Sequence, residues 1–415
     1  MFELSEVIQS HDFAQAARHP DFPQAFTRTR KLPLPGLIAA LLSQRGQSQQ
    51  VTLDSFFASL CDSAQAVRGI SDRAFAKARD QLYMPALSGL NDLLVRRADE
   101  AGLVPRWYGL RVVAADGSVL MPAVRASHLP RAAARDQRVL GMFLPGAELM
   151  LHCEVYGAEG SERAMLVEAL DKLGPGDVLV LDRGYPAAWL VSLLLQRGIH
   201  FCIRCDGSGW SAVRRFMRSG LAEQWVTLSA PSAAEDKDWG CGRSAPRVRL
   251  VRQVSPGGAV RVLLTDLDSQ AYPREAFSEL YHQRWGIEEA FKRLKHRMAL
   301  ESVSGLSQQA LIIDVAAKIL ADNLASLLCA AAAAQHDLPA RSRKCNRSYA
   351  AALLQRALPP LILIVGDWLA HLRDVLVQLG ANTQRIVRGR SRPRPAKPIK
   401  RVLPANLHEL TLRAR

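Results

Sequence analysis

Two short apolar runs, each ending on an aspartate, constrain this chain more than any other feature. LRVVAAD (110–116) and DVLVLD (177–182) have the unbroken apolar character of strands buried on both faces, and each is expected to stop at its final aspartate. Between them ELMLHCEVYG (148–157) alternates, which predicts an antiparallel strand. After Asp182 a helical pattern, PAAWLVSLLLQRG (186–198), leads into another strand, IHFCIR (199–204). Strand, helix, strand at this spacing is a β-α-β unit, so the fold class is α/β with at least part of its sheet parallel.

The flanks read differently. Residues 1–107 are helical and hold no catalytic constellation, which makes them a candidate DNA-binding domain. Within them, 51–82 reads as helix, turn, helix: Ser71 caps the second helix, Phe75, Ala78 and Leu82 form its apolar face, and Arg73 and Lys77 point outward. The core then runs through 108–205 and resumes at 274–330, around a β-rich insertion at 206–273. The insertion's strands are EQWVTLS, PRVRLVRQV and AVRVLLTD, the last two joined by a Ser-Pro-Gly-Gly turn. Residues 331–415 are helical and end in a basic, proline-rich tail.

Charge narrows the partner. The chain carries 54 Lys and Arg against 39 Asp and Glu, a net of +15. Such an excess favours a polyanion, nucleic acid first and an anionic membrane second. The longest apolar stretch, 310–334, carries Asp314, Lys318 and Asp322 every fourth residue, the stripe of a packed amphipathic helix and not of a membrane span. No secretory signal is expected at the start, and seven scattered cysteines suit a reducing cytoplasm. Cys202 and Cys205 read as buried thiols, because a metal site would want a second ligand pair.

The chemistry concentrates in YHQRWGIEEAFKRLK (281–295). Read as one helix at about 100° per residue, it sets Tyr281, Arg284, Glu288 and Lys295 within an arc of about 60°. Ile287, Ala290, Phe291 and Leu294 fill the adjoining arc. One stripe anchors the helix while the next presents four polar groups to one place.

That set resembles the Y-R-E-K signature of bacterial insertion-sequence transposases, specifically the insertion sequence 4 family. Asp116 in AADGS resembles the family's first catalytic aspartate motif, and Asp182 in LDRGYP its second, with the Arg-Gly-Tyr that follows. The resemblance covers roughly residues 26–330 and, in motif order, the insertion between Asp182 and Glu288. It implies a ribonuclease H-like catalytic core flanked by helical regions, with Asp116, Asp182 and Glu288 as catalytic metal ligands. The cofactor implied is two Mg²⁺ ions, for which Mn²⁺ can substitute. A pair of hard ions about 4 Å apart clamps the attacking and leaving oxygens of an in-line phosphodiester displacement. Arg284 and Lys295 would then bind phosphates near the scissile bond, and Tyr281 would hydrogen-bond a phosphate or stack.

The activity implied is transposition: binding of double-stranded DNA at terminal inverted repeats, excision of the element and joining of its 3′ ends to target DNA. A homodimer would pair the two ends in the cytoplasm, on the nucleoid. The alternatives are a ribonuclease H-like nuclease without strand transfer, and an inactive DNA-binding derivative. Relatives of this type cut both strands through a DNA hairpin, which needs a flipped base, and an aromatic side chain can capture one. Of Trp210, Trp225 and Trp239, the second is expected in the core. Trp239, in KDWGCG, is expected on a loop and free to reach DNA, with Trp210 second.

Overall fold

In this computed structural model the described residues are 1–28, 30–46, 48–121, 136–207, 209–254, 258–305, 307–340 and 342–387. The basic tail from residue 388 onward and the turn residues 255–257 lie outside them.

The chain opens with helices α1 (Phe2–Gln9), α2 (His11–Ala16), α3 (Leu34–Leu42), α4 (Gln49–Leu60), α5 (Asp72–Asp80) and α6 (Pro85–Glu100). The pairing of α4 with α5 is as expected. Ser71 accepts the amide of Ala74 at the start of α5, Phe75 is buried, and Arg73 and Lys77 are exposed. Strands β1 (Arg106–Trp107), β2 (Leu110–Leu120), β3 (Gln137–Leu144) and β4 (Leu149–Tyr156) follow, then α7 (Glu162–Ala169), β5 (Asp177–Leu181), α8 (Ala188–Gln196) and β6 (His200–Cys205). Next come α9 (Ser211–Ser219), β7 (Glu223–Thr227), α10 (Ala233–Trp239), β8 (Arg247–Val254) and β9 (Val260–Thr265). The remainder is α11 (Phe277–His282), α12 (Trp285–Arg297), α13 (Gln308–Gln335), β10 (Arg343–Cys345), α14 (Arg347–Leu363), α15 (Trp368–Ala381) and β11 (Thr383–Arg385).

Nine strands make one mixed sheet in the order β4-β3-β2-β5-β6-β9-β8-β7, with β1 beside the start of β2. The β2, β5 and β6 strands run parallel, joined by α7 and α8, as the β-α-β reading requires. Outside them the pairing is antiparallel. One expectation needs correcting. Strand β2 does not stop at Asp116: its parallel pairing with β5 ends at Ala114, but the ladder with β3 continues from Ala114 to Leu120 and keeps the backbone extended. The three strands of the β-rich insertion join the main sheet. Strand β9 pairs with β6 from Cys202↔Thr265 to Cys205↔Val262, so β7–β9 prolong the main sheet.

One face of the sheet shares a continuous apolar core with the flanks. It runs from Leu4 and Leu37 through Phe143 and Ile287 to Leu320, Leu358 and Leu379. The other face packs α7–α10 around Phe201, Leu190 and Phe216. Cys202 and Cys205 are buried free thiols, as expected, and burial pushes the Cys205 thiol up to about 12.

Helix α13 runs through the shared core, and its polar stripe is buried, not solvated. Lys318 donates to the carbonyls of Ala299 and Ser302, and Asp314 accepts from the Ser304 hydroxyl at 2.9 Å. Asp322 receives Arg293 at 2.7 Å and Arg347 at 3.3 Å. Asn323 accepts the Met150 amide at 2.7 Å, tying α13 to β4. Among the described residues no helix is long and apolar enough to cross a membrane. Removing the shared carboxylate with Asp322→Ala would leave two nearly buried guanidinium groups with only the more distant Glu148, at 3.6 and 3.8 Å, as counter-charge, a loss of about 3–5 kcal/mol. Denaturant unfolding should show it, whereas Asp21→Ala, at an exposed ion pair, should leave the curve in place; equal curves for both variants would contradict the structural role of Asp322.

Candidate active site

The parallel register decides where the two aspartates meet. Arg111 pairs with Asp177 and Ala114 with Val180, so two positions further along Asp116 comes level with Asp182, the residue just past β5. Both stand at the carboxyl ends of parallel strands, where α/β sheets place their ligands. The Asp182 carboxylate accepts the Gly184 amide at 2.7 Å, which curls the Arg-Gly-Tyr segment into a tight turn. Arg163 of α7 clamps that turn by donating to the Gly184 carbonyl at 2.9 and 3.1 Å.

Glu288 reaches the same place from α12. The segment 281–295 is two helices and not one, a correction to the single-helix reading. At the junction the amides of Arg284, Gly286 and Ile287 bond three residues back, to Tyr281, Gln283 and Arg284. That tighter winding breaks the expected stripe. Tyr281 points into a small core with Trp107, Phe277 and Leu280. Arg284 is only 5% exposed and bridges two of the carboxylates, at 2.5 Å from Glu288 and 3.5 Å from Asp116. So placed, it orients acids and does not offer its fork to a phosphate from solvent. Lys295 donates to the Val119 carbonyl and pairs with Glu301 at 3.3 Å, and Glu301 also accepts the Met121 amide. It thereby ties α12 to the end of β2.

The structure thus brings Asp116, Asp182, Glu288 and Arg284 together, holds Lys295 nearby and turns Tyr281 away. Two members were missed from the sequence. Glu162, the first residue of α7, lies so close that a Cβ added to Gly117 would meet its Oε1 at 2.8 Å. The Tyr185 side chain is fully buried behind the same acids. Nothing around Glu162 marks it in the sequence, since SERAMLVEAL reads as an ordinary helix start. Tyr185 was visible within the LDRGYP motif but had no role.

Burial and the neighbouring Asp182, Glu162 and Glu288 carboxylates push the Asp116 acid up to about 7, although Arg284 opposes the shift. Clustered carboxylates held half out of water are short of positive charge, and Arg284 already supplies one cation between two of them. Such a set of hard oxygen donors suits a divalent ion of the Mg²⁺ type. As they stand, no three acidic, His or Cys side chains among the described residues converge closely enough to close around one ion. The guanidinium occupies the interval between Asp116 and Glu288 instead.

The tryptophans are not arranged as expected. Trp239 is no loop residue: it ends α10 and stacks on Trp189, with ring centres 4.5 Å apart and planes 8° off parallel. One face of its ring is taken by that stack. Trp225 is not core but sits exposed on the edge strand β7, with Arg247 over its ring. Trp210 lines a cleft with Arg163, Arg183 and Pro186, next to the Asp182 turn.

Comparison with known proteins points the same way. Residues 136–324 match the family described as the transposase DDE domain, a span that includes Asp182 and Glu288 and begins after Asp116. Among curated proteins, the transposase InsG of insertion sequence element IS4 from Escherichia coli (strain K12) is 22% identical over 245 residues. The match covers 55% of this chain and 54% of that protein, so the chain spans about half the length of the relative. The resemblance read from the sequence is borne out: the family model and the insertion sequence 4 transposase both match this chain. A solved complex of the piggyBac transposase with hairpin DNA aligns over 98% of this chain and 91% of its own. Its TM-score of 0.46 and 13% identity are too low to carry an argument.

The Asp116 acid generates a test. Its folded value, about 7, lies above the ordinary 3.8, so the fold holds the neutral form more tightly than the unfolded chain does. The associated stability is complete below the unfolded value and is lost as pH climbs through the folded one. Asp116→Asn keeps the group neutral. With divalent ions chelated, its melting-temperature advantage over the unsubstituted protein should be larger at pH 8 than at pH 5. An advantage that is equal or smaller at pH 8 would mean that Asp116 is not held neutral.

Proposed function

We propose that this protein is a DNA transposase that cuts its element's ends and joins them to target DNA, with Asp116, Asp182 and Glu288 as the ligands of two divalent cations. The observation that carries the reading is the convergence of these motif acids from β2, the end of β5 and α12, in a chain that matches the transposase DDE domain family. The strand order β4-β3-β2-β5-β6, antiparallel then parallel, supports a ribonuclease H-like core. When bound, the ions would relieve charge on the phosphorane-like transition state and activate the attacking oxygen. The protein's own part is to hold the acids. Arg284 fixes Asp116 and Glu288 against each other, and the Asp182 turn is locked by Gly184 and Arg163.

DNA is the partner that the net charge supports. Residues 1–107 would recognise the terminal repeats. A cleft of about 640 Å³ there is lined by Arg28, Arg30, Lys31 and Lys77, with Asp21 its sole acid among the described residues. A dimer would pair two ends. For hairpin formation, the aromatic partner of a flipped base passes from Trp239 to Trp210, which lines a cleft beside the Asp182 turn, with Arg183 to hold a flanking phosphate.

The central test uses end DNA with Mg²⁺. Asp116→Ala, Asp182→Ala and Glu288→Ala should each lower cleavage by at least about a thousandfold, because several kcal/mol of charge stabilisation is lost. End binding should change by no more than about threefold, since many phosphate contacts carry it. Pre-cleaved ends should join to a target plasmid, and cutting without any joining would favour a nuclease. On pre-nicked ends, Trp210→Ala should slow hairpin formation by about tenfold, the worth of one base stack; an unchanged rate would remove Trp210 from that role.

A further inference from the structure

A helix that the motifs do not mention delivers one more acid to this site. Glu162 opens α7, the helix that carries the chain from β4 back to β5. Its side chain lies so close over β2 that a side chain at Gly117 would have to push it aside. An added Cβ would stand 2.8–2.9 Å from the Glu162 Oε1, Cδ and Cγ atoms. The other carboxylate oxygen reaches toward the Asp182 turn, 3.9 Å from where a Cβ on Gly184 would lie. Arg163, the next residue, is spent on the Gly184 carbonyl, and Glu162 makes no hydrogen bond or ion pair of its own among the described residues.

A second observation points to a ligand at the same spot. The Tyr185 side chain is fully buried, yet its hydroxyl has no hydrogen-bond partner. A buried phenol left unpaired costs about 1–3 kcal/mol. The charges of Glu162, Asp116 and Asp182 all act on this hydroxyl, with Arg284 opposing them. It therefore lies within the field of the acids and has room for a hydrogen-bond partner that the protein does not supply.

We propose that Glu162 is a fourth carboxylate of the cation site, its side chain closing with those of Asp116 and Asp182 on the divalent ion when one binds, with the Tyr185 hydroxyl bonded to an oxygen that the ion brings. The proposal rests on the metal-dependent reading given above. It accounts for three facts together: an acid without a partner, a phenol without a partner, and glycine at position 117, where an added side chain would meet the acid. A purely structural Glu162, favourable at a helix N-terminus by its charge alone, would explain none of the three.

The test is titration of the full-length protein with Mn²⁺, followed by the electron paramagnetic resonance signal of free Mn²⁺, without DNA or turnover. Glu162→Gln keeps the shape of the side chain. It should weaken Mn²⁺ binding by at least about tenfold, the loss expected even for an outer-shell partner. Asp116→Asn and Asp182→Asn should also weaken it, while Glu289→Gln, at an exposed pair with Lys292, should not. If Glu162→Gln binds like the unsubstituted protein while the two aspartate variants fail, Glu162 is no ligand and the wider reading stands. If the unsubstituted protein itself binds no Mn²⁺ at millimolar concentration, both fall. Should Glu162→Gln fold poorly, Glu162→Asp, which keeps the charge but shortens its reach, must still bind Mn²⁺ more weakly. Tyr185→Phe removes a hydroxyl with no protein partner, so its melting temperature without metal should not drop, and a clear drop would contradict the role given to that hydroxyl.

Discussion

Everything at the site follows from the parallel pairing of β2 with β5. Two parallel strands cannot be joined by a hairpin, so the chain must cross over between them. Here the crossover comprises β3, β4 and α7. A crossover helix starts at the end of the sheet where the preceding strand leaves and returns the chain to the opposite end. Its first turn is thereby placed beside the carboxyl ends of the parallel strands. Register then sets Asp116 level with Asp182, the crossover sets Glu162 over both, and α12 packs across β2 and β3 to add Glu288. Three or four acids so close would repel one another, and the buried Arg284 is the fold's own answer to that repulsion.

Much of this was legible before any coordinates, and the failures have physical causes. Apolar runs report burial on both faces, so β2, β5 and β6 were visible and their aspartates with them. Where β2 ends was not visible, because its extension depends on β3, a partner that local pattern does not specify. The 281–295 stripe assumed constant helical pitch. At Gly286 the helix approaches Phe143 and Pro145 so closely that an added Cβ would lie 3.2 Å from each, and the winding tightens there. Trp239 was read as a loop residue from its glycines. The Ser232–Glu235 capping box three residues apart was the better signal, and it starts the helix that Trp239 ends. Glu162 had no local signal at all, since its importance lies in what the crossover brings near it.

The buried charges of α13 belong to a different kind of constraint. Lys318 is pushed down to about 8 by burial, and it survives there because two carbonyls accept from it and Asp314 is near. Replacing such groups by apolar ones of the same shape often costs little. Their retention here fits a requirement for one particular packing over many equivalent ones, because each bond names its partner while an apolar contact does not.

Helix α13 is 28 residues long, about 42 Å at the usual rise. Along that length it touches α3 and α6 of the N-terminal helices, β4 of the sheet and the C-terminal α14 and α15. It works as a spar, and the elements fixed to it share one frame of reference. On the reading proposed above, in which the N-terminal helices recognise DNA and the sheet carries the acids that cut it, such a frame would act as a caliper. The offset between the two would then be set by side-chain packing and not by the slack of a linker.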